Sequence, residues 1–226
     1  MKKPVRVALI GARGRMGQTI IDLAKTDPNI EITAHCDLGD ALEPAMKACH
    51  VAIDFSNAGA IDEVCSVATT QNKALVIGTT GHSSVQRQLI KNAAKTLPIV
   101  FASNFSIGVN ALFALTRQAA EILGNDFTSQ ITETHHTKKK DAPSGTAKTL
   151  GEILKQAGKS DVPIESIREG DVVGEHTVIF IGPEERLELT HRAGSREIFA
   201  RGALRAAEWV VSKPAGLYSM QDVLGI

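Results

Sequence analysis

The stretch from Glu133 to Thr146 reads ETHHTKKKDAPSGT and gathers two histidines, three lysines and a helix-start SGT into fourteen residues. Histidine titrates near neutrality, so His135 and His136 suit general acid or base work. Lys139 offers a point charge or a proton. Ser144, Gly145 and Thr146 stand where a helix begins, and the unpaired amides of a first turn favour a carboxylate. Reduction of a small anionic metabolite needs a hydride donor, a proton donor and cationic or amide partners for the carboxylates, and this stretch supplies the last two. A solvated basic loop before an ordinary capped helix is the competing account. Metal ligation by the two histidines lacks an acidic or histidine partner at helical spacing, so no metal is expected.

A hydride donor must be held elsewhere, and a glycine turn near the start of the chain offers the place. Residues 5–10, VRVALI, run straight into GARGRMG, which puts Gly11, Gly14 and Gly17 between a strand and a helix. Such a turn is tight, lets the backbone approach a pyrophosphate, and aims helix amides at it. The spacing is GxxGxxG and departs from the commoner GxGxxG. Asp37 follows Gly17 by twenty residues, at the end of a second strand, where a carboxylate accepts from ribose hydroxyls. Leu38 leaves the usual place for a clamp on a 2′-phosphate without a basic side chain, which leans the cofactor toward NADH, while Arg13 and Arg15 keep NADPH open.

The elements that must position these residues follow two grammars. Up to about residue 105, short apolar runs (5–10, 30–36, 51–55, 74–77, 99–102) alternate with helical patterns (18–25, 58–69, 85–95), as in a Rossmann-type parallel sheet with crossover helices. Ser83 and Ser84 offer a cap for the last of these helices. Beyond Asn104, apolar residues from Val109 to Leu123 recur at helical spacing. A strand at 128–133, a helix from Ser144 to about Gly158, strands at 164–169, 178–181 and 187–192, and a helix at 197–211 then follow. The expected fold class is therefore α/β, with a parallel-sheet nucleotide domain over 1–105 and a smaller α+β substrate and oligomerisation domain with an open mixed sheet over 106–212. Residues 213–226 form a tail.

Composition narrows the function. Twenty-five basic residues balance twenty-five acidic ones, and aromatic residues make up 4%, so neither a nucleic acid nor a membrane surface is an expected partner. No apolar run approaches the roughly 20 residues that span a bilayer. Met1, Lys2 and Lys3 look like the charged start of an export signal, but the apolar run behind them is too short. Cys36, Cys49 and Cys65, odd in number and without CxxC spacing, fit free thiols in a reducing cytoplasm. His176 and His191 fall in expected strands, where structural hydrogen bonding is the simpler reading. Arg192 and Arg196 face a choice between a substrate carboxylate and a sheet-edge ion pair, and Asp54 is expected to end the third strand in a structural role.

In register, GARGRMG, DFS at 54–56, GTTG at 78–81, ASNFSIGVN at 102–110, ETHHTKKKDAPSGTA, GEHTV at 174–178 and ELTHRAGSREIFARGAL at 188–204 resemble the 4-hydroxy-tetrahydrodipicolinate (dihydrodipicolinate) reductase family end to end. The resemblance implies hydride transfer from a nicotinamide to C4 of the dehydrated substrate, with protonation completing reduction to tetrahydrodipicolinate in lysine and diaminopimelate synthesis. It implies His135 as acid or base and Lys139 as proton donor, with His136, Gly145 and Thr146 at the substrate. It places the cofactor on Gly11, Ala12, Arg13, Gly14, Arg15, Met16, Asp37, Gly78, Thr79, Thr80, Ala102, Ser103, Asn104 and Phe105. It further implies a homotetramer built through the second domain's sheet and a tail returning to the nucleotide domain. Two features depart from the family pattern: residues 37–50 are shorter than in larger members, and ASNF stands where AANF or APNF is commoner. The rivals are another dehydrogenase on the same plan, which for aldehyde chemistry would want a cysteine in the second domain, and a dinucleotide-binding regulator without catalysis. Whether His135 and Lys139 matter for turnover separates the regulator from both enzymes.

Overall fold

The structure, a computed structural model, describes residues 3–226, so Met1 and Lys2 of the charged start lie outside the described residues. The chain divides into two compact units, one of residues 1–106 and 197–225 and the other of residues 107–196 with the final residue. The first is built on six parallel strands: β1 (Val5–Ile10), β2 (Ile30–Cys36), β3 (Val51–Asp54), β4 (Ala74–Ile77), β5 (Pro98–Phe101) and, late in the chain, β10 (Gly216–Tyr218). Their order is β10-β5-β4-β3-β1-β2. Every residue of β3 and β4 is buried, as strands covered on both faces require.

Alternation along the strands divides the core. Val7 and Leu9, with Val51, Ile53 and Val76, pack on one side with Ile20 and Ala24 of α1 (Arg15–Ala24). Ala8 and Ile10, with Ala52, Leu75 and Ile77, pack on the other side. There they meet α2 (Leu42–Ala48), α3 (Ile61–Gln71) and α4 (Ser84–Ala93). Burying each such aliphatic side chain contributes roughly 1.5–3 kcal/mol before conformational entropy opposes it. Ser83 caps α4 in a capping box with Gln86.

In the second unit, α5 (Ile107–Leu123) and α6 (Gly145–Gln156) cover one face of a four-stranded sheet. That sheet orders β7 (Ile164–Arg168), β6 (Thr128–His135), β8 (Glu175–Ile181) and β9 (Arg186–Arg192) in the sequence β7-β6-β8-β9. The β6–β7 pair is parallel and the other two pairs are antiparallel, so the sheet is mixed.

The boundary expected near residue 212 is corrected. The helix α7 (Glu197–Val210) belongs to the first unit, where it packs on α1, β3, β4 and β5. Its inner face is small: Ala200, Ala203, Ala206 and Ala207 are fully buried. A Cβ added at Gly202 would lie 1.8 Å from the Phe105 carbonyl oxygen, so only glycine lets the helix lie that close. After it, β10 pairs with β5 and α8 (Met220–Leu224) places Met220 and Val223 in the same core.

Candidate active site

The carboxyl ends of the parallel strands are laced together by backbone bonds. Gly11 N donates to Cys36 O (2.8 Å), Phe55 N to Ile10 O (3.0 Å), Gly78 N to Asp54 O (2.9 Å) and Ala102 N to Ile77 O (3.3 Å). This edge brings together the residues expected to hold a dinucleotide. Gly11 has φ +83°, and a Cβ there would lie 2.5 Å from the Phe55 carbonyl oxygen. A Cβ at Gly17 would lie 2.3 Å from Gly11 O, so the turn closes onto α1 only with glycine at both places. Gly14, in extended conformation, stands as the N-cap of α1 without a side-chain bond, ahead of Arg15 and Met16. The helix start therefore offers its first amides to an anion.

Asp37 accepts from the Arg13 amide at 3.0 Å, and the Arg13 Nε lies 3.6 Å from the same carboxylate. Leu38 beside it is 96% exposed. Gly78 is held against the Phe55 ring, which tilts on Phe105 with centroids 5.6 Å apart. Thr79 is buried, Thr80 and Ser103 are exposed, and Asn104 accepts from the Ser106 amide at 2.8 Å. Asp54 is fully buried and accepts from the Ser56 amide (3.0 Å) and hydroxyl (2.5 Å), while burial pushes its carboxyl above the usual range. The glycine contacts, the open helix start and the carboxylate at the second strand's end fit a bound dinucleotide.

The second unit holds the titratable cluster. The pleat of β6 turns Ser129, Ile131, Glu133 and His135 to its buried side, so Glu133 and His135 stand side by side at the strand's end. Glu133 has no exposed surface. It accepts from the two terminal guanidinium nitrogens of Arg168, at 2.9 and 3.0 Å, and from the Ser144 amide at 3.1 Å, and Nδ1 of His135 lies against its Oε2. Burial pushes this carboxyl up, but the bonds from Arg168, His135 and Ser144 overcome it and hold Glu133 at about 2. His135 sits below its ordinary value: burial lowers it, Glu133 raises it, and the charges of Lys139 and Arg168 lower it again.

Ser144 is the N-cap of α6, its hydroxyl accepting from the Ala147 amide at 3.1 Å and bonding His176 Nε2 at 3.0 Å. His176 is buried against His135, ring centroids 5.1 Å apart, and burial together with that neighbour pushes it down to about 4. Lys139 bonds both oxygens of Asp141, at 2.7 and 2.8 Å, which lowers that carboxyl. The Nδ1 of His136 is buried without a hydrogen bond among the described residues. Gly145 is exposed and Thr146 half-buried at the helix start. Arg192 takes the sheet-edge ion pair, with Glu175 at 3.1 Å, and Arg196 is exposed. Among the described residues no group of three or more His, Cys, Asp or Glu could hold a metal ion, and no helix is long and apolar enough to cross a membrane.

Sequence reasoning gave Glu133 no chemical role and did not consider Arg168, thirty-five residues away. The i,i+2 spacing of Glu133 and His135 in a strand was the available signal for the first. Nothing local pointed to the second.

A doubly wound sheet opening on a glycine turn, in one chain with a buried acid–base cluster ahead of a helix start, defines the class: a dinucleotide-dependent oxidoreductase. Two family models carry this further. The one described as dihydrodipicolinate reductase, N-terminus, matches residues 5–105, and that described as dihydrodipicolinate reductase, C-terminus, matches residues 108–224. Among curated proteins, the 4-hydroxy-tetrahydrodipicolinate reductase of Akkermansia muciniphila is 47% identical, over 98% of both chains. The enzyme of the same name from an Anaeromyxobacter species is 41% identical over the same shares. Among solved structures, dipicolinate-bound dihydrodipicolinate reductase from Paenisporosarcina sp. TG-14 shares the fold at TM-score 0.82 and 23% identity, over 97% of this chain and 98% of that one. A C. glutamicum DAP dehydrogenase in complex with DAP does so at 0.61 and 12%, over 97% and 93%. The chain belongs to the dihydrodipicolinate reductase family.

Proposed function

We propose that the protein reduces 4-hydroxy-tetrahydrodipicolinate to tetrahydrodipicolinate, in lysine and diaminopimelate biosynthesis, using NADH or NADPH with a lean toward NADH. Family membership supports the reaction, and the observation that carries its chemistry is the His135 ring held on the buried carboxylate of Glu133 beside the Ser144-capped start of α6. With the 4-hydroxyl lost as water, a bound dinucleotide would supply a hydride to C4. His135 takes the part of acid or base, and Lys139 donates the proton that completes reduction. A dicarboxylate is held by the amides and hydroxyl at Gly145 and Thr146 and by His136, whose buried Nδ1 wants a partner. Gly11 to Met16, Asp37, Gly78 to Thr80 and Ala102 to Phe105 hold the cofactor. The lean to NADH comes from Leu38, which gives a 2′-phosphate no cation, and from Arg13 being engaged by Asp37.

The reading includes a cytoplasmic homotetramer joined through the four-stranded sheet, whose strands leave Ile167, Ile181 and Leu187 37–38% exposed. Purified protein given enzymatically made substrate is expected to oxidise the reduced cofactor, followed by loss of nicotinamide absorbance, with a higher kcat/KM for NADH. No oxidation with either cofactor would reject the reaction, and a large NADPH preference would reject the lean.

A further inference from the structure

Glu133 lies fully buried, yet it accepts four bonds from three residues and stays ionised, an arrangement far more specific than a solvated loop or a plain core needs. We propose that Glu133 is the positioning residue for proton transfer, fixing His135 with hydrogen on Nδ1 so that Nε2 exchanges the proton. The proposal rests on His135 being the acid or base.

An ionised carboxylate only accepts, so its contact with Nδ1 requires the hydrogen to reside there. Nε2 is then a bare acceptor in the neutral ring and the departing N–H in the charged ring. The carboxylate cannot swing away, because Arg168 grips both its oxygens while donating to Asp141 O (2.6 Å) and Ile167 O (2.7 Å). Ser144 adds its amide to Glu133 and its hydroxyl to His176, so the same residue that starts α6 also anchors the ring's partner. His176, opposite Glu133 on β8, closes the cluster as a largely neutral ring at neutral pH.

Gly174 completes the device. A Cβ there would lie 3.0 Å from His135 Nε2, so glycine leaves open the atom that must meet a proton. A buried ion pair contributes little to stability by itself, since apolar residues of the same volume often do as well. Orientation and proton affinity of the ring are what Glu133 adds.

Glu133→Gln keeps the shape and removes the charge. We expect kcat to fall about 100-fold with the dinucleotide Kd unchanged, and the His135 limb of the kcat–pH profile to move to lower pH. In a His135→Gln background the same change should cost less than about twofold, because it acts through a ring no longer present. An unchanged kcat and pH limb, or a full further loss in that background, would overturn the proposal. Should Glu133→Gln not fold, two other measurements decide. Gly174→Ala should lower kcat about 10-fold while leaving the circular dichroism spectrum intact, and nitrogen NMR of the native ring should show the Nδ1-protonated tautomer. Wild-type kcat in Gly174→Ala, or an Nε2-protonated neutral ring, contradicts it. Wild-type activity of His135→Gln removes the acid–base reading and the proposal with it, whereas loss there with none in Glu133→Gln removes the proposal alone.

Discussion

His176 and Glu133 are the site residues whose surroundings move their protonation furthest, and both move in the direction that makes acid unfavourable for the fold. A group held below its unfolded value contributes stability above that value and loses it as pH falls through the folded one. For His176 the window runs from 6.5 down to about 4, and for Glu133 from 4.5 down to about 2. His176 is 4% exposed, so screening is slight and the loss amounts to on the order of 3 kcal/mol. Thermal melts from neutral pH to pH 4 are expected to show Tm falling in the native protein and falling much less in His176→Gln. An equal fall in both would show that His176 titrates normally. These residues differ in how far they can be read without the fold. His135 and Lys139 stand out by type and clustering, and Ser144 by its place before a helix. Arg168 is just one arginine among many until β7 pairs in parallel with β6 and brings it beside Glu133.

At the scale of elements, alternation of short apolar runs with helical periodicity was enough to place β1 to β5, α1, α3 and α4, because inner strands covered on both faces read as near-continuous apolar segments while the edge strand β2 alternates apolar with polar residues. The short α2 was not readable: seven residues with Pro44 inside carry too little periodicity, and its burial of Met46 depends on packing against α3 and β2. Close approach explains two glycines that sequence treats alike. Gly202→Ala would drive a methyl into the Phe105 carbonyl and should destabilise by about 3 kcal/mol, read as a lower denaturation midpoint. Gly17→Ala would open the turn onto α1, so weakened dinucleotide binding with little change in kcat at saturating cofactor is the expected result. Native affinity in Gly17→Ala would mean that the turn does not hold the cofactor.

At the scale of the whole chain, the first unit is discontinuous, and that is what a linear reading of elements missed. Strands β7 to β9 come in an unbroken series, so the helix after them reads as their companion. Only its alanine face, which fits a close-packed parallel sheet, assigns α7 to the first unit. A fragment of residues 1–105 therefore exposes apolar surface that α7 and α8 bury, and it is expected to show no cooperative melt by circular dichroism; one resembling the native transition would restore the simpler boundary. In the proposed function, dinucleotide holding falls to the first unit and proton transfer to the second. The most direct test is a crossed pair of variants, His135→Ala and Asp37→Ala, each measured for kcat and for dinucleotide Kd. His135→Ala is expected to lose kcat by about 100-fold or more at native Kd, while Asp37→Ala weakens Kd with kcat nearly kept. Equal loss of dinucleotide binding in both variants would contradict it.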